Sequence, residues 1–270
     1  MDAKDSPTQP TYYGECLDAV PFGSMVNFLS QQLPRPIAWT FVACWRVKSF
    51  FGGGILPNSG FGPVGSSTVL ARADMPARPM SRWAARLEDL SDLGFTPLRF
   101  SVGDHIGAKE SASVLLFDGD GTTFALLEWF QMPGTSGIEE RNLLELNSLV
   151  ADPSGVAGSC GAGNVSPYQD FTEVMTAVTP RENLPLADIF APQFVDAAFL
   201  ADSIPVKRVV KQHLHRLEGR QLETVRRENA LKRYDALSQG RFDWMMDRGL
   251  IRKLTPKEVE KIRQIHLPQT

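Results

Sequence analysis

VLLFDGDGTTFALLEW, residues 114–129, is an apolar run, an acidic glycine-rich step and a second apolar run. Its reading decides the fold, because the same residues fit two architectures. Asp-Gly supplies the positive φ that a tight hairpin demands, and the flanks SVLLF and TTFALLEWF are the β-branched, aromatic and apolar residues that paired strands favour. On that reading Asp118 and Asp120 are turn residues and the strands beside them are antiparallel. On the other, they are two carboxylates one residue apart at the end of a buried strand. The hairpin explains the residues with less machinery.

Working outward, the turn signals DGDG, MPGTSG, ADPSG and VTPREN separate strand-like segments around 97–102, 113–117, 122–131, 142–150 and 171–178. No helical pattern intervenes, which argues for antiparallel neighbours rather than βαβ crossovers. The sequence predicts an α+β protein in three parts. Residues 1–80 form an irregular Pro/Gly-rich segment. Residues 81–202 form an antiparallel-sheet domain of about five or six strands with one helix on a face. Residues 203–270 form a basic helical region.

Within that frame, SRWAARLEDLSDLGF sets Trp83, Leu87 and Leu90 on one helical face, with Ser81 as N-cap and Gly94 just past the end. LADIFAPQFVDAAFLADS reads as short helices broken at Pro192. Val206, Val209, Val210, Leu214 and Leu217 make an apolar stripe at helical spacing, which thins beyond Gly219. Thr255-Pro256-Lys257-Glu258 opens a last helix as a capping box with Pro at its first position. In Ile37–Val47 (IAWTFVACWRV), Trp39, Phe41, Ala43, Trp45 and Val47 share one face at period two. That predicts a strand, with Trp39 and Trp45 mostly buried. The competing reading is a peripheral membrane contact through Trp39, Trp45, Phe50 and Phe51, flanked by Arg35, Arg46 and Lys48.

The net charge of −3 gives no global attraction to nucleic acid, yet charge is uneven. Residues 203–270 carry 16 Lys and Arg against 8 Asp and Glu, and the first 202 residues carry 12 against 23. Interleaved Glu at salt-bridge spacing and few aromatics make that basic region a helical surface facing the acidic remainder, so no specific nucleic acid is expected. Cys16, Cys44 and Cys160 are scattered, which argues against a disulfide framework or a thiolate zinc site. The start, MDAKDSPTQPTYYGE, lacks the basic and apolar regions of a secretion signal. Pro36–Trp45, the longest uncharged apolar run, falls short of the roughly 20 residues that cross a bilayer. A cytoplasmic protein is expected.

VLLFDGDGTTF resembles the first motif of the haloacid-dehalogenase-like phosphatases, an apolar strand ending in D-x-D-x-T. That resemblance covers about ten residues. It implies a metal-dependent phosphatase with Asp118 as nucleophile, Asp120 as general acid–base and Mg²⁺ screening the phosphate. Thr179 would supply the next motif, and Lys207 or Lys211 the lysine. The later acidic pair would have to be Asp243 and Asp247, where no buried strand precedes them. Outside this alternative no cofactor or metal is expected. GVAGSCGAGN, residues 155–164, has Asn164 where a phosphate loop needs Lys, and His213 and His215 diverge by about 200° on a helix. The first expectation is therefore a non-catalytic interaction or scaffold protein, self-associating through its C-terminal helices. The phosphatase is the alternative.

Overall fold

Phe117 pairs with Phe124 across the DGDG step, so residues 118–122 are the turn of a β-hairpin. The computed structural model describes residues 10–51, 55–57, 59–103, 105–134, 137–151 and 172–266. Their helices are α1 (Phe22–Leu29), α2 (Arg35–Phe50), α3 (Ala77–Asp92), α4 (Leu184–Phe190), α5 (Val206–Leu217), α6 (Arg227–Asp247) and α7 (Pro256–His266). The strands are β1 (Tyr13–Glu15), β2 (Gly60–Phe61), β3 (Thr68–Leu70), β4 (Thr96–Val102), β5 (His105–Ile106), β6 (Glu110–Phe117), β7 (Thr123–Gly134), β8 (Gly137–Val150), β9 (Thr172–Thr179), β10 (Val195–Ala201) and β11 (Ile251–Lys253).

Seven strands form the main sheet in the order β10-β9-β8-β7-β6-β4-β3. Every pairing is antiparallel except β9 with β10, which α4 connects in parallel. An α+β fold built on an antiparallel sheet is what the alternating apolar runs and turn signals require. A small sheet, β11-β1-β2-β5, ties both ends of the described chain together.

The hairpin turn is held by its own aspartate. Asp118 accepts hydrogen bonds from the Thr122 amide at 2.8 Å, the Thr123 amide at 3.1 Å and the Thr122 hydroxyl at 2.9 Å. Gly121 has φ +75°, and a Cβ there would lie 2.7 Å from the Val225 carbonyl, so glycine is required on two counts.

Because side chains alternate along a strand, the hairpin feeds two different layers. Ala112, Val114, Leu116, Ala125, Leu127 and Trp129 point to one face and pack with Trp83 and Leu90 of α3 and Val206, Val209 and Val210 of α5. Leu115, Phe117 and Phe124 point to the other and pack with Ala230, Tyr234 and Leu237 of α6. The sheet is therefore covered on both faces, not on one as the sequence suggested. A buried hydroxyl–imidazole row closes the α5 side. Thr123 Oγ1 lies 2.9 Å from Ser148 Oγ, and Ser148 Oγ lies 3.0 Å from His213 Nε2. His213 Nδ1 in turn lies 2.9 Å from Thr176 Oγ1. Burial, then the charge of Arg216, push the His213 pKa down to about 4.

Several local expectations are corrected. Ile37–Val47 lies in a helix, α2. Pro34 precedes it and Pro36 occupies its first turn, where proline's fixed φ suits a helix start. Ala38, Val42 and Trp45, at helical spacing, pack on α1 and α4. Trp45 is buried as expected, but Trp39 is 56% exposed. The segment after Pro192 forms the strand β10 rather than a helix, since Val195–Ala201 finds an open edge on β9. α3 starts after Pro76, four residues ahead of Ser81. In α5, Leu214 is exposed and His213 takes the inward position. The capping box of α7 forms: Glu258 Oε2 accepts from the Thr255 amide at 2.9 Å, and Thr255 Oγ1 from the Glu258 amide at 3.3 Å.

Candidate functional site

Between the sheet and α6 the packing changes character. Four consecutive strands, β4, β6, β7 and β8, place polar or charged residues on this face. Register aligns Ser101, Ser113 and Glu128 in one row, with Glu145 in the adjacent row. Over them α6 lays the stripe Tyr234, Ser238, Arg241 and Met245, whose spacing of three or four residues keeps it on one helical side.

Two adjoining chambers open there, of about 550 and 460 Å³. They share Leu126, Glu128, Tyr234, Ser238 and Met245 as a common wall. The first chamber continues to Met175, Ala177, Phe199 and the α4 side chains Leu186 and Phe190. The second is closed by residues 61–67, Arg99, His105 and Asp235. These volumes fall in the range of small-molecule pockets, and the mixture of apolar walls with a few convergent polar groups is their usual composition.

Electrostatics separates the acidic groups into different states. Arg241 Nη1 donates to Glu145 Oε1 at 2.7 Å, and its Nη2 lies 3.0 Å from Glu173 Oε1. Asn147 adds a bond to Glu145 Oε1 at 2.8 Å. Burial works against the Glu145 charge, but Arg241 and Asn147 outweigh it and hold the carboxyl below its usual value. Arg241 is likewise held above its usual value, its own burial overcome by Glu145 and Glu173. Glu173 is fully buried and its pKa is pushed up to about 7, by burial first, with Arg241 opposing and Glu145 assisting.

Glu128 is the group left over. Among the described residues its carboxylate has no hydrogen-bond donor and no ion-pair partner, and it lines both chambers. Burial, then the neighbouring Glu145 charge, raise its pKa to about 7 against the opposing pull of Arg241. The guanidinium of Arg99 is bound in a bidentate pair with Asp235, at 2.8 and 3.1 Å. The lining thus carries Glu15, Glu128, Glu145 and Asp235 against Arg99 and Arg241, both of which are engaged. The cleft is acidic, and among the described residues two of its acids, Glu15 and Glu128, have no hydrogen-bond donor or ion-pair partner.

Of the residues named from the phosphatase motif, Thr179 lines the first chamber and the others lie outside the cleft. Asp118 sits at the turn after β6, with its carboxylate occupied by Thr122 and Thr123, and Asp120 is exposed. Thr179 ends β9 one residue beyond the Val178–Leu144 pair, three strands away from β6 and the Asp118 turn. Lys207 donates to Asp89 and Asp92 of α3, at 3.1 and 3.4 Å, and Lys211 is exposed. Asp243 accepts from Gln239 on the same helix. Among the described residues no group of three His, Cys, Asp or Glu side chains is placed to hold a metal ion. His213 is buried while His215 is exposed beside Glu218. Cys16 and Cys44 are free thiols, and Cys160, with the segment 155–164, lies outside the described residues.

Among the described residues, four of the sixteen basic C-terminal side chains, Lys207, Arg216, Arg220 and Arg241, pair with acids from earlier in the chain. Arg216 and Arg220 both reach Asp196, and Arg241 reaches Glu145 and Glu173. No family model, curated protein or solved structure matches the chain.

Proposed function

We propose that the protein is a non-catalytic binding protein, in a cytoplasmic setting, whose cleft under α6 takes a small cationic ligand: a protonated amine on an apolar or aromatic body. The observation that carries this reading is Glu128, an unpaired carboxyl at the junction of two chambers with mostly apolar walls. An isolated carboxylate is unfavourable in such surroundings, and a bound ammonium supplies the missing charge and hydrogen bonds at once. Tyr234, Met175, Phe190 and Phe199 offer the surface for the apolar part.

The test is ligand-observed NMR and calorimetry with benzylamine, benzyl alcohol and benzoate at pH 8. Benzylamine, still largely protonated there, is expected to bind. The neutral alcohol and the anion should bind at least tenfold more weakly, and Glu128→Gln should abolish the difference. Equal binding of all three, or preference for benzoate, contradicts the reading.

The phosphatase reading has less support, because its residues stand apart and Asp118 is spent on its own turn. Mg²⁺-dependent hydrolysis of p-nitrophenyl phosphate, lost in Asp118→Asn, would restore it. Self-association through the C-terminal helices is a separate proposal, checked by light scattering across a concentration series.

A further inference from the structure

Among the described residues, large exposed apolar side chains are most numerous on one helix, with Val69, Ile138 and Leu214 exposed singly elsewhere. Ile37, Trp39, Phe41, Val47, Phe50 and Phe51 stand out from α2 and its C-cap, each more than half exposed and Phe50 86% exposed. A helix that turns one side to a core ordinarily shows polar residues on the other. Among the exposed positions of α2 from Ile37 to Phe50, only Thr40, Cys44 and Lys48 interrupt the apolar ones. The Thr40 hydroxyl is turned back onto the Pro36 carbonyl at 2.9 Å. Exposed apolar side chains gathered on one helix mark an interaction site.

Charge indicates what covers it. No Asp or Glu occurs between Asp18 and Asp74, whereas Arg35, Arg46, Lys48 and Arg72 all do. Arg46 points inward to the carbonyls of Asp18 and Val20, which leaves Arg35 and Lys48 exposed on the same helix as the rings. A second copy presenting the same face would set cation against cation, with no acid from this segment to pair them. An anionic surface that also accepts apolar rings meets both requirements. We infer that α2 lies on an anionic lipid bilayer, with Val47, Phe50 and Phe51 in the headgroup–acyl boundary, Trp39 and Phe41 on the two flanks of the helix, and Lys48 and Arg35 among the phosphates. Sixteen residues make a helix about 24 Å long, lying in the surface plane. Among the described residues no helix is long and apolar enough to cross a membrane, so the contact is one-sided. The inner side of α2 stays fixed by Ala38, Val42 and Trp45, which makes the docked face a rigid part of the fold.

Vesicle flotation tests this with the full chain, using neutral phosphatidylcholine vesicles and vesicles containing about 30% phosphatidylserine, a level at which basic residues near the surface contribute measurably. The wild type should float with the anionic vesicles and at least tenfold less with the neutral ones. Phe41→Ser/Phe50→Ser/Phe51→Ser should lose flotation while keeping the wild-type melting temperature, because all three side chains are exposed. Lys48→Glu should weaken binding about tenfold. No flotation with either vesicle, or equal flotation with both, overturns the inference. So does a concentration-dependent dimer that the triple serine variant abolishes, which would make the occupant a second copy.

Discussion

The two faces of the main sheet are built from the same strands and differ by one residue in phase. Toward α3 and α5, β6 and β7 present Ala112, Val114, Leu116, Ala125, Leu127 and Trp129, and the layer is closed. Its Ser148, Thr176 and His213 side chains satisfy one another and stay neutral, while the indole N–H groups of Trp83 and Trp129 are buried without a partner. Toward α6 the same strands present Ser113, Glu128 and Leu126, and the layer keeps charge and open volume. An unpaired carboxylate in apolar surroundings lowers stability, so a face retaining the half-buried Glu128 beside the Arg241-paired Glu145 and Glu173 sacrifices packing that the opposite face achieves. The difference leaves one face closed and the other with charge and open volume, where the proposed ligand would sit.

The largest effect should come from the closed face. Trp83 is fully buried against β6–β8, and Trp83→Ala should lower unfolding free energy by about 5 kcal/mol with little dependence on pH. Denaturant titrations at pH 5.5 and 8 check it. A loss below about 2 kcal/mol would mean the closed face is not the main source of stability.

On the open face, Arg241→Met leaves Glu145 and Glu173 without their cation. It should cost about 3–4 kcal/mol at pH 8, and less as falling pH protonates the two acids. A pH-independent loss would show that Arg241 acts by packing alone, which would blur the distinction between the faces.

Glu128→Gln should have the opposite sign. The folded pKa of about 7 lies above the ordinary 4.5, so the folded state holds the proton more tightly. Wild-type stability from this group is present below pH 4.5 and is lost as pH rises through 7. Glutamine cannot ionise, so the variant should exceed wild type by about 2 kcal/mol at pH 8 and match it near pH 4.5. Destabilisation at pH 8 would place a hidden partner on Glu128.

The smallest effect belongs to the hairpin turn, outside both layers. Asp118→Ala removes three bonds to Thr122 and Thr123 and should cost about 1 kcal/mol, while Asp118→Asn should retain most of that stability. Thermal melts of the two variants distinguish them.

Much of this architecture is legible in the sequence where one physical signal dominates. The Asp-Gly turn and its alternating flanks identify β6 and β7, and the capping box at Thr255 identifies α7. α2 misleads because IAWTFVACWRV satisfies both periods. Trp39, Phe41 and Val47 alternate as in a strand, but Ala38, Val42 and Trp45 are the residues the fold buries. Pro34-Arg-Pro36 is the deciding signal, since prolines at a helix start carry more information than aromatic alternation. The cleft escapes the sequence for a different reason. The inner stripe of α6 runs Ala230, Tyr234, Leu237, Arg241 and Trp244 at strict helical spacing, and its one charged member makes it look interrupted. Its counterparts are visible as single acids inside apolar strands: Glu128 in ALLEWF, Glu145 in LLELN and Glu173 in TEVMTAV. A charge in the middle of a strand that is otherwise core is the signal that finds such a site. Which of the three is left unpaired depends on strand register, which local sequence does not specify.

The central claim is that Glu128 is an acid kept ready for a cationic partner. Following its side-chain carboxyl carbon by ¹³C NMR through a pH titration, with and without benzylamine, measures that directly. The expected midpoint is about 7 without ligand, falling by a unit or more when saturating benzylamine pairs with the carboxylate. A midpoint near the ordinary 4.5 in the free protein, or one that benzylamine leaves unmoved, would contradict it.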